Sequence, residues 1–139
     1  GSRMIIDYKS GNCTVQDWLG DRPSRPQLLL YACAEPGAAA ALAFAQVQPR
    51  NCRYVGLGQI APASGITTDI PRLAKSRMSA QDWPTLNDRW LEILERLATA
   101  FVAGEAQVDP LTPTTCHWCG LQSLCRVDMA EKIPQEDAV

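Results

Sequence analysis

This chain of 139 residues is poor in histidine, in long apolar runs and in net positive charge. No apolar run is long enough to span a bilayer, and no basic segment followed by an apolar one opens the chain. The sequence therefore predicts neither a membrane span nor a secretory signal. The net charge of −2 also gives no overall basic field of the kind that marks many nucleic-acid-binding proteins. The single histidine, His117, receives no catalytic role.

Six cysteines in a chain without a secretory signal favour reduced thiols in the cytoplasm over a disulfide scaffold. Three of them lie close together near the C-terminus: Cys116, Cys119 and Cys125. This spacing is typical of ligands for zinc or an iron–sulfur cluster. A fourth ligand could be one of the scattered cysteines (Cys13, Cys33 or Cys52) or His117, although adjacency to Cys116 makes the histidine awkward. Alternatively, the site is empty and the thiols are free.

The first half of the chain begins with a strand pattern followed by a helix pattern. Met4–Lys9 is a β-rich run closed by the turn residues Ser10, Gly11 and Asn12. We predict a loop over residues 12–23. Ser24 is the expected cap of a helix that has Pro26 in its first turn and runs to about Ala34.

A hairpin and a long helix are predicted further along. The runs Ala41–Gln48 and Cys52–Ala61 are separated by a turn at residues 49–51, and residues 62–78 have the composition of a loop. A long helix then ends at Gly104. Its apolar stripe recurs at three- and four-residue steps and consists of Leu86, Trp90, Ile93, Leu94, Leu97 and Phe101.

Asp7 and Lys9 are two residues apart on the first predicted strand, so their side chains share one face. A carboxylate beside an ammonium suits a metal-dependent nuclease. The carboxylate can ligate Mg²⁺, which prefers hard oxygen ligands, and the lysine can orient the attacking water or stabilise charge on the phosphate. The alternative is an ordinary salt bridge on an exposed strand.

Gln27 and Tyr31 are four residues apart on the predicted helix, so they share a face as well. An amide and a phenol together can grip a phosphate or steady a catalytic lysine by hydrogen bonds. The alternative is a solvated glutamine beside a half-buried core tyrosine.

Basic and aromatic side chains offer further possible contacts to nucleic acid. The sequence does not rank the six candidate phosphate contacts: Arg22, Arg25, Arg50, Arg53, Lys75 and Arg77. Trp18, Trp83 and Trp118 could stack on bases, whereas Trp90 falls on the apolar stripe and is predicted to be core.

Three motifs in this order resemble the end of RecB/AddB-type nuclease domains, which belong to the PD-(D/E)XK class. They are Ile5-Ile6-Asp7-Tyr8-Lys9-Ser10-Gly11, Gln27-Leu28-Leu29-Leu30-Tyr31, and Cys-x₂-Cys-x₅-Cys-Arg at 116–126. The resemblance implies that Asp7 and the backbone carbonyl of Tyr8 are metal ligands and that Lys9 is the catalytic lysine. By the same resemblance, Gln27 and Tyr31 border the active site as supporting residues.

The resemblance also implies a fold, an activity and partners. The fold is α/β, a restriction-endonuclease-like mixed sheet flanked by helices. The activity is phosphodiester hydrolysis in DNA with Mg²⁺ or Mn²⁺, by an exonuclease coupled to a helicase during DNA repair. Cys116, Cys119 and Cys125 join a cysteine far upstream to hold a 4Fe–4S cluster.

One departure from the family changes the expectation for this chain. The family places another acidic metal ligand on a strand upstream of Asp7, and the six residues before Asp7 leave no room for it. We therefore expect a single domain over 1–139 that is the C-terminal portion of a larger nuclease, with an incomplete core. Within it, residues 1–4 are partly a tag remnant, 109–129 are the cysteine-cluster segment, and 130–139 are a flexible tail.

The isolated chain is accordingly expected to be inactive, with its cysteine site empty. A different class of function is a non-catalytic module, stabilised by an iron–sulfur cluster or zinc, that binds DNA or a helicase. A plain zinc-binding structural domain is the third possibility.

Overall fold

The computed structural model describes residues 2–34, 39–74, 77–117 and 119–125, and every structural statement below concerns those ranges. The chain forms two compact units, residues 1–99 and residues 100–139. The predicted tail over 130–139, Lys75, Trp118 and Arg126 lie outside the described residues.

The first strand, β1 (Arg3–Lys9), confirms the predicted strand. A short 3₁₀ helix, Val15–Trp18, lies within the predicted loop. It begins with a capping box, in which Thr14 Oγ1 accepts the Gln16 N–H and the Asp17 carboxylate accepts the Thr14 N–H.

The first α-helix, α1 (Gln27–Ala34), starts later than predicted. Ser24 is not its cap, because the Ser24 hydroxyl donates a hydrogen bond to Asp17 Oδ1 at 3.4 Å. The N–H of Leu30 donates instead to the carbonyl of Pro26 at 2.9 Å, which starts the helical bonding at that proline. The prediction of Ser24 as cap was therefore wrong.

The predicted hairpin is confirmed. The strands β2 (Ala39–Gln48) and β3 (Asn51–Gly58) are antiparallel and are joined by Pro49 and Arg50, with Arg50 at a φ of 64°. The predicted loop over 62–78 is wrong in part, because β4 (Ile66–Thr67) and α2 (Ile70–Ala74) lie within it. Ile66 and Ile70 are buried there, so tertiary packing stabilises elements too short to give a periodic pattern.

The four strands form one mixed sheet in the order β1-β2-β3-β4, which confirms the predicted fold class. β1 is parallel to β2, β2 is antiparallel to β3, and β3 is parallel to β4. One face carries the main core, including Ile5, Leu42 and Phe44. The opposite face is lined by small residues, among them Ala41 and Ala43, packed with Ile66.

The long helix, α3 (Trp83–Val102), confirms the strongest helix prediction. Its buried residues are Trp83, Leu86, Trp90 and Ile93, whereas Leu97 and Phe101, at the end of the predicted stripe, are exposed. None of the helices in the described ranges is long and apolar enough to cross a membrane.

Three of the four tryptophans, all within the described ranges, are buried. Trp18 and Trp90 are fully inaccessible and Trp83 is 6% exposed. The indole of Trp83 donates to the carbonyl of Ala39, and that of Trp90 to the carbonyl of Trp18, each at 3.0 Å. Base stacking by Trp18 or Trp83 is therefore excluded in this fold, and Trp90 is core as predicted.

The second unit begins with the last turn of α3. Gly104, at a φ of 75°, donates its N–H to the carbonyl of Phe101, and Glu105 donates to that of Ala100. These two bonds form a Schellman motif, which explains why the predicted glycine stop is correct. Further along lie a 3₁₀ helix, Pro113–Cys116, and a one-turn helix, α4 (Gln122–Cys125).

Candidate active site

β1 presents Asp7 and Lys9 on the sheet face that carries the main core. Asp7 lies opposite Phe44 of β2, and Lys9 lies opposite Gln46. The Lys9 ammonium is 2.7 Å from Asp7 Oδ2, and the two side chains are only 27% and 15% exposed. Lys9 Nζ is also 5.9 Å from the centroid of the Phe44 ring. The predicted acid–amine pair is therefore a half-buried contact at the end of a strand.

Asp7 Oδ2 is buried and has the Lys9 ammonium beside it. Their contact at 2.7 Å is an ion pair, and within the described residues this oxygen accepts no further hydrogen bond. A buried carboxylate needs a cation nearby, and here the Lys9 ammonium supplies that charge. Carboxylate oxygens are also ligands that Mg²⁺ prefers, so Asp7 fits the role of one metal ligand.

The surroundings of Asp7 supply few additional protein ligands. In the described ranges, no group of three or more histidine, cysteine, aspartate or glutamate side chains could hold a metal ion. Mg²⁺ is commonly bound through one or two carboxylates, with waters and substrate phosphates completing its shell. The donor set present thus fits a magnesium ion that takes most of its ligands from water, backbone carbonyls and substrate.

α1 brings the second predicted pair to the same place. The Gln27 amide donates to the Tyr31 hydroxyl at 3.2 Å, and both side chains are exposed. They border an open cleft of about 370 Å³. Its lining residues are Asp7, Lys9, Arg25, Pro26, Gln27, Leu30, Tyr31 and Phe44. The structure therefore brings Asp7, Lys9, Gln27 and Tyr31 together around one cleft.

The side chain of Tyr8 points away from this cleft. It is 75% exposed and borders a groove of about 490 Å³ on the other side of the sheet, with Tyr54 among the lining residues. Its predicted role as a ligand through the backbone carbonyl does not involve the side chain, so the role is compatible with this orientation.

Gln46 lies beside the site and was missed by sequence reasoning. It is 1% exposed, and its amide donates to the Gly11 carbonyl at 3.1 Å and to Asn12 Oδ1 at 3.3 Å. Its carbonyl oxygen accepts from Arg53 Nε at 2.9 Å. Gln46 thus ties the loop that follows Lys9 to the middle of the sheet. The sequence signal that could have identified Gln46 is its place as a polar residue within the apolar run Ala41–Val47.

Arg25 also lines the cleft, although no sequence pattern distinguishes it from the other basic residues. Its Nε is 3.3 Å from Asp17 Oδ2, and its Nη2 donates to the Asn12 carbonyl at 3.1 Å. The guanidinium carbon is 5.9 Å from the centroid of the Phe44 ring. The guanidinium is therefore held beside the same ring as the Lys9 ammonium.

The clustered cysteines lie in the second unit, and among the described residues they do not form a group that could hold a metal ion. Cys116 and Cys125 are half-buried and Cys119 is exposed. The Cys125 thiol donates to the Gln122 carbonyl at 3.6 Å. The described residues thus give no geometry that assigns a cofactor to Cys116, Cys119 and Cys125.

Two of the scattered cysteines, Cys13 and Cys33, are poor candidates for a fourth ligand. Cys13 and Cys33 pack against the main core, and burial raises the pKa of both thiols above the ordinary value. A raised pKa opposes formation of the thiolate that a metal requires. Cys52 is exposed on β3, where its thiol donates to the carbonyl of Gln48 at 3.7 Å.

Comparison with known protein families gives a match over most of the chain. The family model described as the PD-(D/E)XK nuclease superfamily matches residues 1–126 of the chain. No curated protein and no solved structure matches this chain. The matched range runs from β1 through α4 and includes every residue of the cleft.

Proposed function

Because this chain belongs to the PD-(D/E)XK nuclease superfamily, whose members use divalent metals such as Mg²⁺ or Mn²⁺, we propose that it hydrolyses DNA phosphodiesters as part of a repair exonuclease. One observation carries this proposal. Asp7, Lys9, Gln27 and Tyr31 line a single cleft, in which the Lys9 ammonium lies 2.7 Å from Asp7 Oδ2.

In the proposed site, Asp7 and the carbonyl of Tyr8 would hold the divalent metal. When bound, such a metal polarises the phosphate and lowers the pKa of a bound water. Lys9 lies within hydrogen-bond distance of Asp7 and donates to the attacking water or to the negative charge developing on the phosphate. Metal binding at Asp7 would weaken the Asp7–Lys9 ion pair and make the ammonium available for that task.

Gln27 and Tyr31 have a supporting role in this proposal. Their hydrogen bond fixes the amide and the phenol relative to each other at the rim of the cleft. From there they can donate to phosphate oxygens and hold the substrate beside Asp7 and Lys9.

We expect this chain alone to cleave DNA slowly or not at all. Asp7 is a single carboxylate, and no further acidic or histidine side chain joins it in a group of three within the described residues. Tight binding of a divalent metal needs several convergent oxygen ligands. Metal-dependent DNA binding is therefore a more sensitive readout than cleavage.

The experiment measures the affinity of a fluorescent DNA oligonucleotide with and without Mg²⁺, and follows its degradation in parallel. The variants are Asp7→Asn and, as a matched control, Asp88→Asn on the exposed side of α3. We expect Mg²⁺ to strengthen DNA binding by the wild type and by Asp88→Asn, and to have no effect on Asp7→Asn. An equal gain for Asp7→Asn, or rapid cleavage that does not depend on Asp7, would overturn the proposal.

The finer parts of the proposal concern the cysteines and the partners. On the resemblance to RecB/AddB-type domains, Cys116, Cys119 and Cys125 hold a 4Fe–4S cluster with a fourth ligand from elsewhere, and the nuclease acts with a helicase in the cytoplasm. Iron and acid-labile sulfide measured after anaerobic reconstitution test the cluster. Zinc in their place, lost on substitution of Cys116 and Cys119, would favour a structural zinc site.

A second candidate function is a non-catalytic DNA- or helicase-binding module. The small number of metal ligands around Asp7 favours it. DNA binding by the wild type that is insensitive both to Mg²⁺ and to Asp7→Asn would support this module over a nuclease.

A further inference from the structure

We propose that Arg25 is a phosphate-contact residue of this cleft, holding the DNA backbone beside Asp7 and Lys9. The inference rests on the proposed function and deepens it by assigning a substrate contact. Of the six basic residues that the sequence left unranked, Arg25 lines the cleft, whereas the lining does not include Arg22, Arg50, Arg53 or Arg77.

Arg25 is held in position before any substrate arrives. Its backbone N–H donates to the Asp17 carbonyl at 3.3 Å, its Nε pairs with Asp17 Oδ2, and its Nη2 donates to the Asn12 carbonyl. The side chain is nevertheless 38% exposed. A guanidinium carries five N–H donors, and these side-chain contacts use two of them. The remaining donors are available to an anion in the cleft.

The Asp17 carboxylate does not depend on Arg25 for its hydrogen bonds. It also accepts from the Thr14 N–H at 3.2 Å and from the Ser24 hydroxyl at 3.4 Å. Arg25 can therefore redirect donors towards a ligand without leaving a carboxylate unsatisfied.

The chemistry of the cleft matches a phosphate. Lys9 and Arg25 flank the same aromatic ring, each 5.9 Å from the Phe44 centroid, and Gln27 adds an amide donor. With the Tyr31 hydroxyl, four donor side chains thus border a cleft that contains one carboxylate, Asp7. A planar guanidinium can hold two phosphate oxygens at once, which a lysine cannot do.

The test is the salt dependence of binding to a fluorescent single-stranded oligonucleotide in buffer without divalent metal. The variants are Arg25→Gln, Arg25→Lys and, as a control for lost charge, Arg72→Gln on the exposed surface of α2. Loss of one phosphate contact reduces the slope of log K against log salt by about 0.7 for single strands. We expect this reduction for Arg25→Gln and no change in slope for Arg72→Gln.

Arg25→Lys keeps the charge, so we expect it to keep the slope and to lose affinity several-fold, since it cannot hold two oxygens. If Arg25→Gln does not fold, the affinity of Arg25→Lys for the oligonucleotide tests the inference instead, with a several-fold loss expected. Wild-type slope and affinity in the Arg25 variants would overturn the inference while leaving the Asp7-dependent effect of Mg²⁺ intact. A wild type that does not bind DNA even at low salt would overturn both.

Discussion

Replacing Gln46 by methionine tests whether the loop after Lys9 is held by the sheet. Methionine has a similar size and cannot donate hydrogen bonds to Gly11 and Asn12 or provide the amide oxygen that Arg53 uses. Each such bond contributes about 0.5–1.5 kcal/mol net. Gly11, Asn12 and Arg53 are exposed enough to regain water, and the variant no longer buries an amide. We therefore expect the free energy of unfolding to fall by about 1–3 kcal/mol.

The matched control is Gln48→Met, two residues along the same strand. Gln48 donates to the Ser10 carbonyl and to Asn12 Oδ1, both at 3.3 Å, but it is only half-buried. We expect this variant to lose less than about 1 kcal/mol, because solvent competes for both bonds.

Urea unfolding followed by tryptophan fluorescence measures both losses, and amide hydrogen exchange at residues 10–12 reports the loop itself. Gln46→Met should speed exchange in the loop more than Gln48→Met does. Equal stability losses in the two variants, with unchanged exchange at residues 10–12, would refute the idea that Gln46 holds the loop.

Three further substitutions and one control test the packing and capping described above. Trp90→Ala removes a fully buried indole and its bond to Trp18, so the free energy of unfolding should fall by about 3–5 kcal/mol in urea denaturation. Gly56→Ala should cost about 1–3 kcal/mol, since its Cβ would collide with the backbone of β2, whereas Gly11→Ala meets no atom within 4 Å and should be nearly neutral. Asp82 caps α3 by accepting hydrogen bonds from the N–H and the hydroxyl of Thr85, and these bonds lower the pKa of Asp82. At a pH above the ordinary pKa of aspartate, Asp82→Ala should therefore have a lower melting temperature than the wild type. That difference should vanish as the pH falls through the lowered pKa, and a difference that persists in acid would contradict the assignment.

Local sequence patterns predicted the elements that depend on residues close together in the chain. The turn at Pro49 and Arg50 fixed the hairpin, and the apolar stripe together with Gly104 fixed α3. These features need no knowledge of distant contacts. The start of α1 was predicted wrongly because Asp17, outside the helix, takes the hydroxyl of Ser24. β4 and α2 were missed because isolated buried residues such as Ile66 and Ile70 leave no pattern in so few positions.

The candidate site was predictable to the extent that it depends on spacing within one element. A spacing of two residues on a strand places Asp7 and Lys9 on one face, and a spacing of four residues on a helix places Gln27 beside Tyr31. The meeting of the two pairs at one cleft depends on how α1 packs against β1 and β2, which spacing does not encode. For the same reason Arg25 was not ranked above the other basic residues and Gln46 was not identified, since their contacts reach across loops and strands.

The most direct test of the central claim is a titration of the ¹⁵N-labelled chain with Mn²⁺, followed by NMR line broadening. Because Mn²⁺ broadens signals from nearby nuclei, a metal on Asp7 should first broaden the amides of Asp7, Tyr8 and Lys9, with those at the start of α1 also affected. The Asp7→Asn variant should lose this pattern, and Asp88→Asn should keep it. Broadening centred on another part of the chain, or unchanged by Asp7→Asn, would contradict a metal site at Asp7.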